Sequence, residues 1–280
     1  MTGQWAESPG SDPLAGDLQR VWNDPDALET VIVAALDAGR SADVVPAVRR
    51  LEEIDHDPVR AANLHALVLR TCADHAGAER VLLEHLKKHG GDAQTWFNLA
   101  PLAAWRGSTN DVDVAIGNAL KYDVNHAQAL DWGLRYHQRE HGGEAALRWL
   151  WSHAYGSWRA HVMLGHEVLR WGDPSRAMEF FEAGCELAPH EPQMLAAAAR
   201  SLFENGRHAE LVDLVLRRWR GSHGAVPLMY VVDSQLILDN PADAAMAMSR
   251  LRGVPVPEHL TDASTDLERR VREACERAGI

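Results

Sequence analysis

The stretch 158-WRAHVMLGHEVLRWGDPSRAMEFFEAGCELAPHE-191 decides the fold. From His161 to Arg170 the apolar residues Val162, Met163, Leu164, Val168 and Leu169 recur at helical spacing, which predicts an amphipathic helix. Gly172-Asp173-Pro174 stops it. Asp173 offers a carboxylate as N-cap of a following helix, and Pro174 suits its first position, where a missing N–H costs nothing. From Ser175 to Leu187 a second stripe of Ala177, Met178, Phe181 and Cys185 follows, and Pro189 ends it. Two antiparallel helices result. Gly165 and Ala177 are small enough to let them approach, and Phe181 fills the space left over. Such a pair buries only part of its apolar surface, so it must stack on neighbours.

The rest of the chain can be laid against this unit, 158–191. The span 25–58 opens with Asp24-Pro25, turns at Gly39 and carries Val44, Val48 and Leu51 on its second helix. In 59–92 the corresponding residues are Ala66, Ala78 and Leu82, and in 93–126 they are Trp96, Leu99, Ala100, Ile116, Ala119 and Leu120. Pro101 falls inside a helix there and predicts a kink or a late start. The span 127–157 is short of the period, with Gly133, Tyr136 and Ala145 or Ala146 as markers and a register open by one residue. After the central unit, 192–225 keeps Ala199, Leu202, Gly206, Leu211 and Val215, and 226–257 keeps Asn240-Pro241 and Ala245. A strict frame would bury Asp233 in the close-packed slot, where an unpaired carboxylate is costly, so a slip of one residue is expected. At the ends, 1–12 reads as a disordered tail and 13–23 as a short amphipathic helix carrying Leu14, Leu18, Val21 and Trp22. The body is expected over 13–260. A lone capping helix over 261–280 holds Leu267, Val271, Ala274, Cys275 and Ala278 on one face.

Leu164, Gly165, Ala177, Phe181 and Pro189 stand where the tetratricopeptide (TPR) repeat has its consensus residues, and a period of about 34 residues is that family's. The chain resembles a TPR protein. The resemblance implies an all-α, right-handed superhelical solenoid of antiparallel helix pairs, about seven repeats plus a C-terminal capping helix. It further implies a protein-protein interaction module or adaptor, with neither enzymatic activity nor cofactor, that binds a peptide segment of a partner in the concave groove of the first helices. In the family's frame Asn63, Asn98, Trp105, Trp132, Arg135, His166, Arg170 and Arg200 face that groove. Arg135, His166 and Arg200 take the same ninth place in three successive units, which predicts a basic column and an acidic segment or terminal carboxylate as its ligand. The alternative for these residues is salt bridging, for example to Asp131 or Glu167. Of the five clamp positions by which chaperone adaptors of the family hold acidic tails, only Asn98 matches.

Composition narrows the function further. A net charge of −12 with no basic run argues against nucleic acid. No run is long enough to span a membrane, and the first residues lack a basic region followed by an apolar one, so the cytoplasm is the expected location. Cys72, Cys185 and Cys275 are odd in number and widely spaced, as expected of buried thiols in a reducing compartment. His137-Gln138-Arg139-Glu140-His141 satisfies H-x-x-E-H, in which two His one turn apart hold zinc and Glu activates water. Surface residues are the expected reading, and a metallohydrolase using His137, Glu140 and His141 is a remote alternative. His85 and His89 form another such pair. No catalytic motif is otherwise present. Seven of the ten Trp lie between Trp96 and Trp171 and are expected mostly in the core between repeats, with Trp105 and Trp132 in the groove. Within the same fold, a homo-oligomeric scaffold built through apolar end surfaces is the competing function.

Overall fold

The structure, a computed structural model, describes residues 12–280. Of the expected tail, 1–11 lies outside the described residues. Asp12 caps the first helix by accepting from the Leu14 N–H and binds the Arg40 guanidinium. Among the described residues every regular element is helical. The chain divides into two compact units, one ending at Ala129 and the other running Leu130–Ile280.

In the first unit α1 (Pro13–Val21) precedes three helix pairs. These are α2 (Pro25–Asp37) with α3 (Val45–Ile54), α4 (Pro58–Thr71) with α5 (His75–His89), and α6 (Ala93–Trp105) with α7 (Thr109–Tyr122). Helix starts use the chain's many aspartates. Asp24, Asp57, Asp74 and Asp92 each accept from a backbone N–H of the first turn they precede. Leu14, Leu18, Val21 and Trp22 lay α1 against a core of Leu28, Ile32, Val44, Val48 and Leu51. α6 begins at Ala93, so Pro101 sits inside the helix and does not delay its start.

The second unit takes α8 (Ala127–His141) from its fourth residue onward, paired with α9 (Gly143–Ser152). Then come α10 (Trp158–Arg170) with α11 (Pro174–Leu187), α12 (Pro192–Glu204) with α13 (His208–Arg218), and α14 (Val226–Ile237) with α15 (Pro241–Leu251). α16 (Thr261–Ala278) packs on α14 and α15 through Leu267 and Val271, and its Arg269 pairs with Asp266 and Glu273 on the helix itself. The first helix of each pair is called helix A below and the second helix B.

One spacing runs through all seven pairs. A Cβ added to Gly165 would lie 2.5 Å from the Phe181 ring, and one added to Gly133 would overlap the Trp149 ring, so each glycine is where the partner aromatic lies. In both cases glycine and aromatic are sixteen residues apart. The same separation joins the buried pairs Ile32 and Val48, Ala66 and Leu82, Ala100 and Ile116, Ala199 and Val215, and Val232 and Met248. Glycine goes with an aromatic, alanine with Leu, Ile or Val, and Ile or Val with Val or Met. An aromatic ring is found where the slot is glycine, because the missing Cβ leaves the space that close packing must fill.

The turn between the helices is equally regular. Gly39, Ala73, Gly107, Gly172, Gly206 and Asp239 have positive φ and each stands seven residues after its slot. Counting back from Asp239 puts Val232, fully buried, in the slot of α14. The slip of one residue expected there is what the chain does. Asp233 is thereby half-buried and meets Arg270 of α16 at 2.6 Å. In α8 the positive-φ residue is Gly142, nine after Gly133, so this helix is longer by two residues past the slot.

Gly165→Ala should destabilise the protein by about 1–3 kcal/mol, the usual cost of overpacking, and Phe181→Leu in the same chain should recover part of that loss. Urea unfolding of the single and double variants checks it. Removing 261–280 should uncover the apolar side of the last pair and lead to association visible by light scattering.

Candidate protein-interaction surface

On the helix A side of the second unit, His166 and Arg200 each follow their slot by one residue, and Asp233 does the same in α14. Arg135 follows Gly133 by two, so it does not share their place. Counted from the helix starts, Arg135, His166 and Arg200 share the ninth place; counted from the Gly133–Trp149 contact, Arg135 stands one residue beyond the place of His166 and Arg200. In α14 that place is taken by Asp233, of opposite charge.

The arginines are paired, each within its own helix and not to a neighbour. Arg135 binds Asp131, Arg170 Nη1 lies 3.4 Å from Glu167, and Arg200 Nε donates to Glu204 at 2.7 Å. The hydrogen bond to Glu204 holds the Arg200 guanidinium further above its usual pKa. All three arginine side chains are more than half exposed, and pairs of this kind contribute only about 0.2–1 kcal/mol each. Beside them, Arg159 of α10 donates to Gln193 of α12 at 2.9 Å, and Phe203 of α12 meets Tyr230 of α14 at 5.3 Å between ring centres. Burial pushes the Tyr230 phenol up, opposed by the charge of Arg200.

In the first unit the helix A side is neutral where Asn63 and Asn98 stand. Asn98 Nδ2 donates to Asn63 Oδ1 at 2.8 Å, Asn63 Nδ2 donates to the Val59 carbonyl and to Thr95 Oγ1, and Gln94 Nε2 donates to Asn98 Oδ1 at 3.1 Å. These amides tie α4 to α6. Trp105 is 64% exposed and lies over the His75 ring at 4.3 Å. Trp132, in the second unit, is half-buried and stacked on Tyr136 at 5.2 Å.

The tryptophans depart from expectation. Of the seven between Trp96 and Trp171 only Trp158 is fully buried, and Trp105, Trp151 and Trp171 are each more than half exposed. Trp149 and Phe181 take the two glycine slots, so the remaining tryptophans of this stretch stand outside them. Trp151 instead packs edge-on against Phe180 of α11.

His137 is likewise not a surface residue. It is 6% exposed and stacks on Trp149 at 4.9 Å, with His153 on Trp149 in turn. Gly133 and His137 are one turn apart on α8, so the ring that enters the glycine slot also covers the histidine. His141 is exposed, and Glu140 is held by Arg139 at 2.7 Å. Among the described residues no three metal-ligating side chains come together. Cys185 is buried with its sulfur 4.0 Å from that of Met194, and burial pushes its thiol up to about 11, far from the reactive range. Cys72 and Cys275 are half-buried and unbridged. Among the described residues no helix is long and apolar enough to cross a membrane.

Paired helices of this length, a small residue in helix A answered sixteen residues later in helix B, and a period of 32 to 34 residues between successive slots together decide the architecture. The fold is TPR-like. No family model matches the sequence. No curated protein matches it either. Among solved structures, a tetratricopeptide repeat protein from Parabacteroides merdae is 13% identical, covers 89% of this chain and 98% of its own, and has a TM-score of 0.38. The TPR2AB domain of yeast Sti1, in complex with pHSP90, is 12% identical over 89% of this chain and 98% of its own, with a TM-score of 0.36. Yeast Tom70 is 10% identical over 95% of this chain and 58% of its own, with a TM-score of 0.42.

His137→Ala should cost at least about 1 kcal/mol, since it opens a void beside Trp149, whereas His141→Ala should stay within about 0.5 kcal/mol, as exposed substitutions usually do. Denaturant titration of the two variants separates these values. Equal, negligible effects would place His137 at the surface after all.

Proposed function

We propose that this protein is a non-enzymatic interaction module that holds a segment of a partner protein on the helix A side of its second unit, through Arg170, Arg200 and His166, the helix A side of the first unit, with Asn63, Asn98 and Trp105, being a candidate surface of its own. The observation that carries this reading is the state of the arginines. Arg170 and Arg200 are exposed and bound only by weak pairs within their own helices. Such pairs can be exchanged for carboxylates of a partner at little cost, with the bidentate geometry that Arg offers. An acidic stretch is therefore the partner chemistry favoured on this unit. Asp233 sets its limit, because it already holds Arg270 and leaves no cation there for a partner carboxylate.

Self-association through the end surfaces is the second reading. The charged outer side of α16, with Arg269, Asp266 and Glu273 paired on it, counts against stacking at that end. The three unbridged thiols suit a reducing compartment, which agrees with a cytoplasmic location.

The test uses the full chain as bait, with a partner recovered from source cells and then purified. Arg170→Glu with Arg200→Glu should weaken that complex by at least about tenfold, or 1.4 kcal/mol, while Arg176→Glu on α11 leaves it unchanged. Affinity measured by calorimetry decides. A double variant that stays helical and binds as tightly as the natural chain would remove the helix A side of this unit from the site, and a dimer in light scattering would favour the second reading.

A further inference from the structure

Gly117 is a glycine that neither a turn nor close packing requires. It stands inside α7 without the positive φ of the turn glycines, and beyond its own helix nothing lies within 4 Å of the place its Cβ would take. Inside a helix glycine is less favourable than any residue but proline, because its free backbone must be fixed and it brings no side chain to pack. What it leaves here is open space above α7.

The residues around that space recur from pair to pair. Gly117, Leu83 and Arg49 each follow their slot by seventeen residues, Val114 and Arg80 by fourteen, and Lys121 and Lys87 by twenty-one. Helix B of two successive pairs thus carries matching stripes, Arg80, Leu83 and Lys87 on α5 and Val114, Gly117 and Lys121 on α7. The two helices are tied at both ends. Arg106 binds Glu79 of α5 and Asp111 of α7, and at the other end the Tyr122 ring of α7 covers Gly91, just past α5. Leu83 and Val114 are each 49% exposed.

Charge on this side is unlike the rest of the surface. Lys87, Lys88 and Lys121 are the only lysines of the chain. Lys121 Nζ donates to the neutral Asn118 at 3.0 Å, and among the described residues no carboxylate pairs with Lys87, Lys88, Arg49 or Arg80, in contrast to Arg135, Arg170 and Arg200. A cation in the last turn favours the helix dipole, which accounts for the three lysines by position. It does not account for Arg49 and Arg80, which stand in the body of α3 and α5, nor for the exposed Leu83 and Val114 among them. Glu84 and Asp113 lie one residue off the stripes, so cations outnumber carboxylates here in a chain whose net charge is −12.

We infer that the helix B side of the first unit is a second interaction surface, which takes a large apolar side chain over Gly117, beside Leu83 and Val114, from an acidic segment of a partner protein. It goes beyond the function proposed above and does not depend on it, since the two surfaces share no residue. The space over Gly117 admits the side chain that any larger residue there would exclude. Lysine carries a hydrated charge on a flexible stem, suited to exposed carboxylates in no fixed geometry, whereas the planar fork of arginine serves the internal pairs. Exposed ion pairs are weak singly, so several cations around one apolar centre must act together with it.

The experiment selects short random peptides displayed on phage against the full chain and measures the best of them as synthetic peptides by calorimetry. One class of selected sequences should carry a Trp, Phe, Tyr or Leu flanked by Asp and Glu, and its binding should weaken as salt is raised. Lys87→Glu with Lys121→Glu should weaken this class at least about tenfold, whereas Arg170→Glu with Arg200→Glu should leave it unchanged. Gly117→Gln should weaken it as well while thermal melting holds or rises, because glutamine is the better helix former and its side chain fills the space. Bound peptide should also slow acetylation of Lys87 and Lys121 by an active ester, read by mass spectrometry. Gly117→Gln that binds as the natural chain does overturns the inference. So do acidic peptides that all depend on Arg170 and Arg200 and never on Lys87 and Lys121, or binding through these lysines to vesicles of phosphatidylserine and phosphatidylcholine but to no peptide. Peptides that depend on Lys87, Lys121 and Gly117 and ignore Arg170 and Arg200 support it, whatever the outcome for the helix A side.

Discussion

The contact between a helix A glycine and the aromatic ring sixteen positions later, Gly133 with Trp149 and Gly165 with Phe181, is the constraint on which the second unit depends. Where glycine occupies the slot, as at Gly133 and Gly165, an aromatic ring occupies its Cβ space, and where the slot is Ile32 or Val232 the partner shrinks or becomes a flexible Met. The other pairs keep buried apolar residues sixteen apart without repeating the same two residue types, which explains why the repeat is recognisable at its slots and obscure elsewhere.

Once the slot is filled, the direction of every other side chain follows from helical spacing. Phe181 in its slot fixes His166 one residue past Gly165, and Trp149 in its slot turns His137 inward although the same five residues read as a metal-binding pattern. The aromatic count was never the quantity that mattered. One large ring fills each glycine slot, and of the other tryptophans Trp158 is buried while Trp105, Trp151 and Trp171 lie outside.

Charge follows a different economy, local where packing is long-range. Many aspartates serve as N-caps, and several arginines bind carboxylates one turn away on their own helix, as Arg135, Arg170, Arg200 and Arg269 do. Exposed pairs of this type add little stability, about 0.2–1 kcal/mol, so the surface is electrostatically quiet yet easily rearranged. Contacts that join one pair of helices to the next, or to α16, are more buried: Arg60 with Glu29, Arg218 with Glu182, and Asp233 with Arg270. The exposed pairs can be exchanged at little cost while the helices that carry them stay packed.

The sequence by itself determined the helices, their turns and the all-α class, because caps, proline starts, positive-φ turn residues and apolar stripes are local properties that a few neighbouring residues settle. It also held the slip at Asp233, since burying a lone carboxylate is costly in any fold. Asn63 and Asn98 were legible as residues of interest but not as bonded partners. The register of α8, the burial of His137, the exposure of the tryptophans and the pairing of each arginine were decided only by tertiary structure. Each of these turns on which side chain from a distant helix fills a given space, and the helical period alone is satisfied equally well one residue to either side.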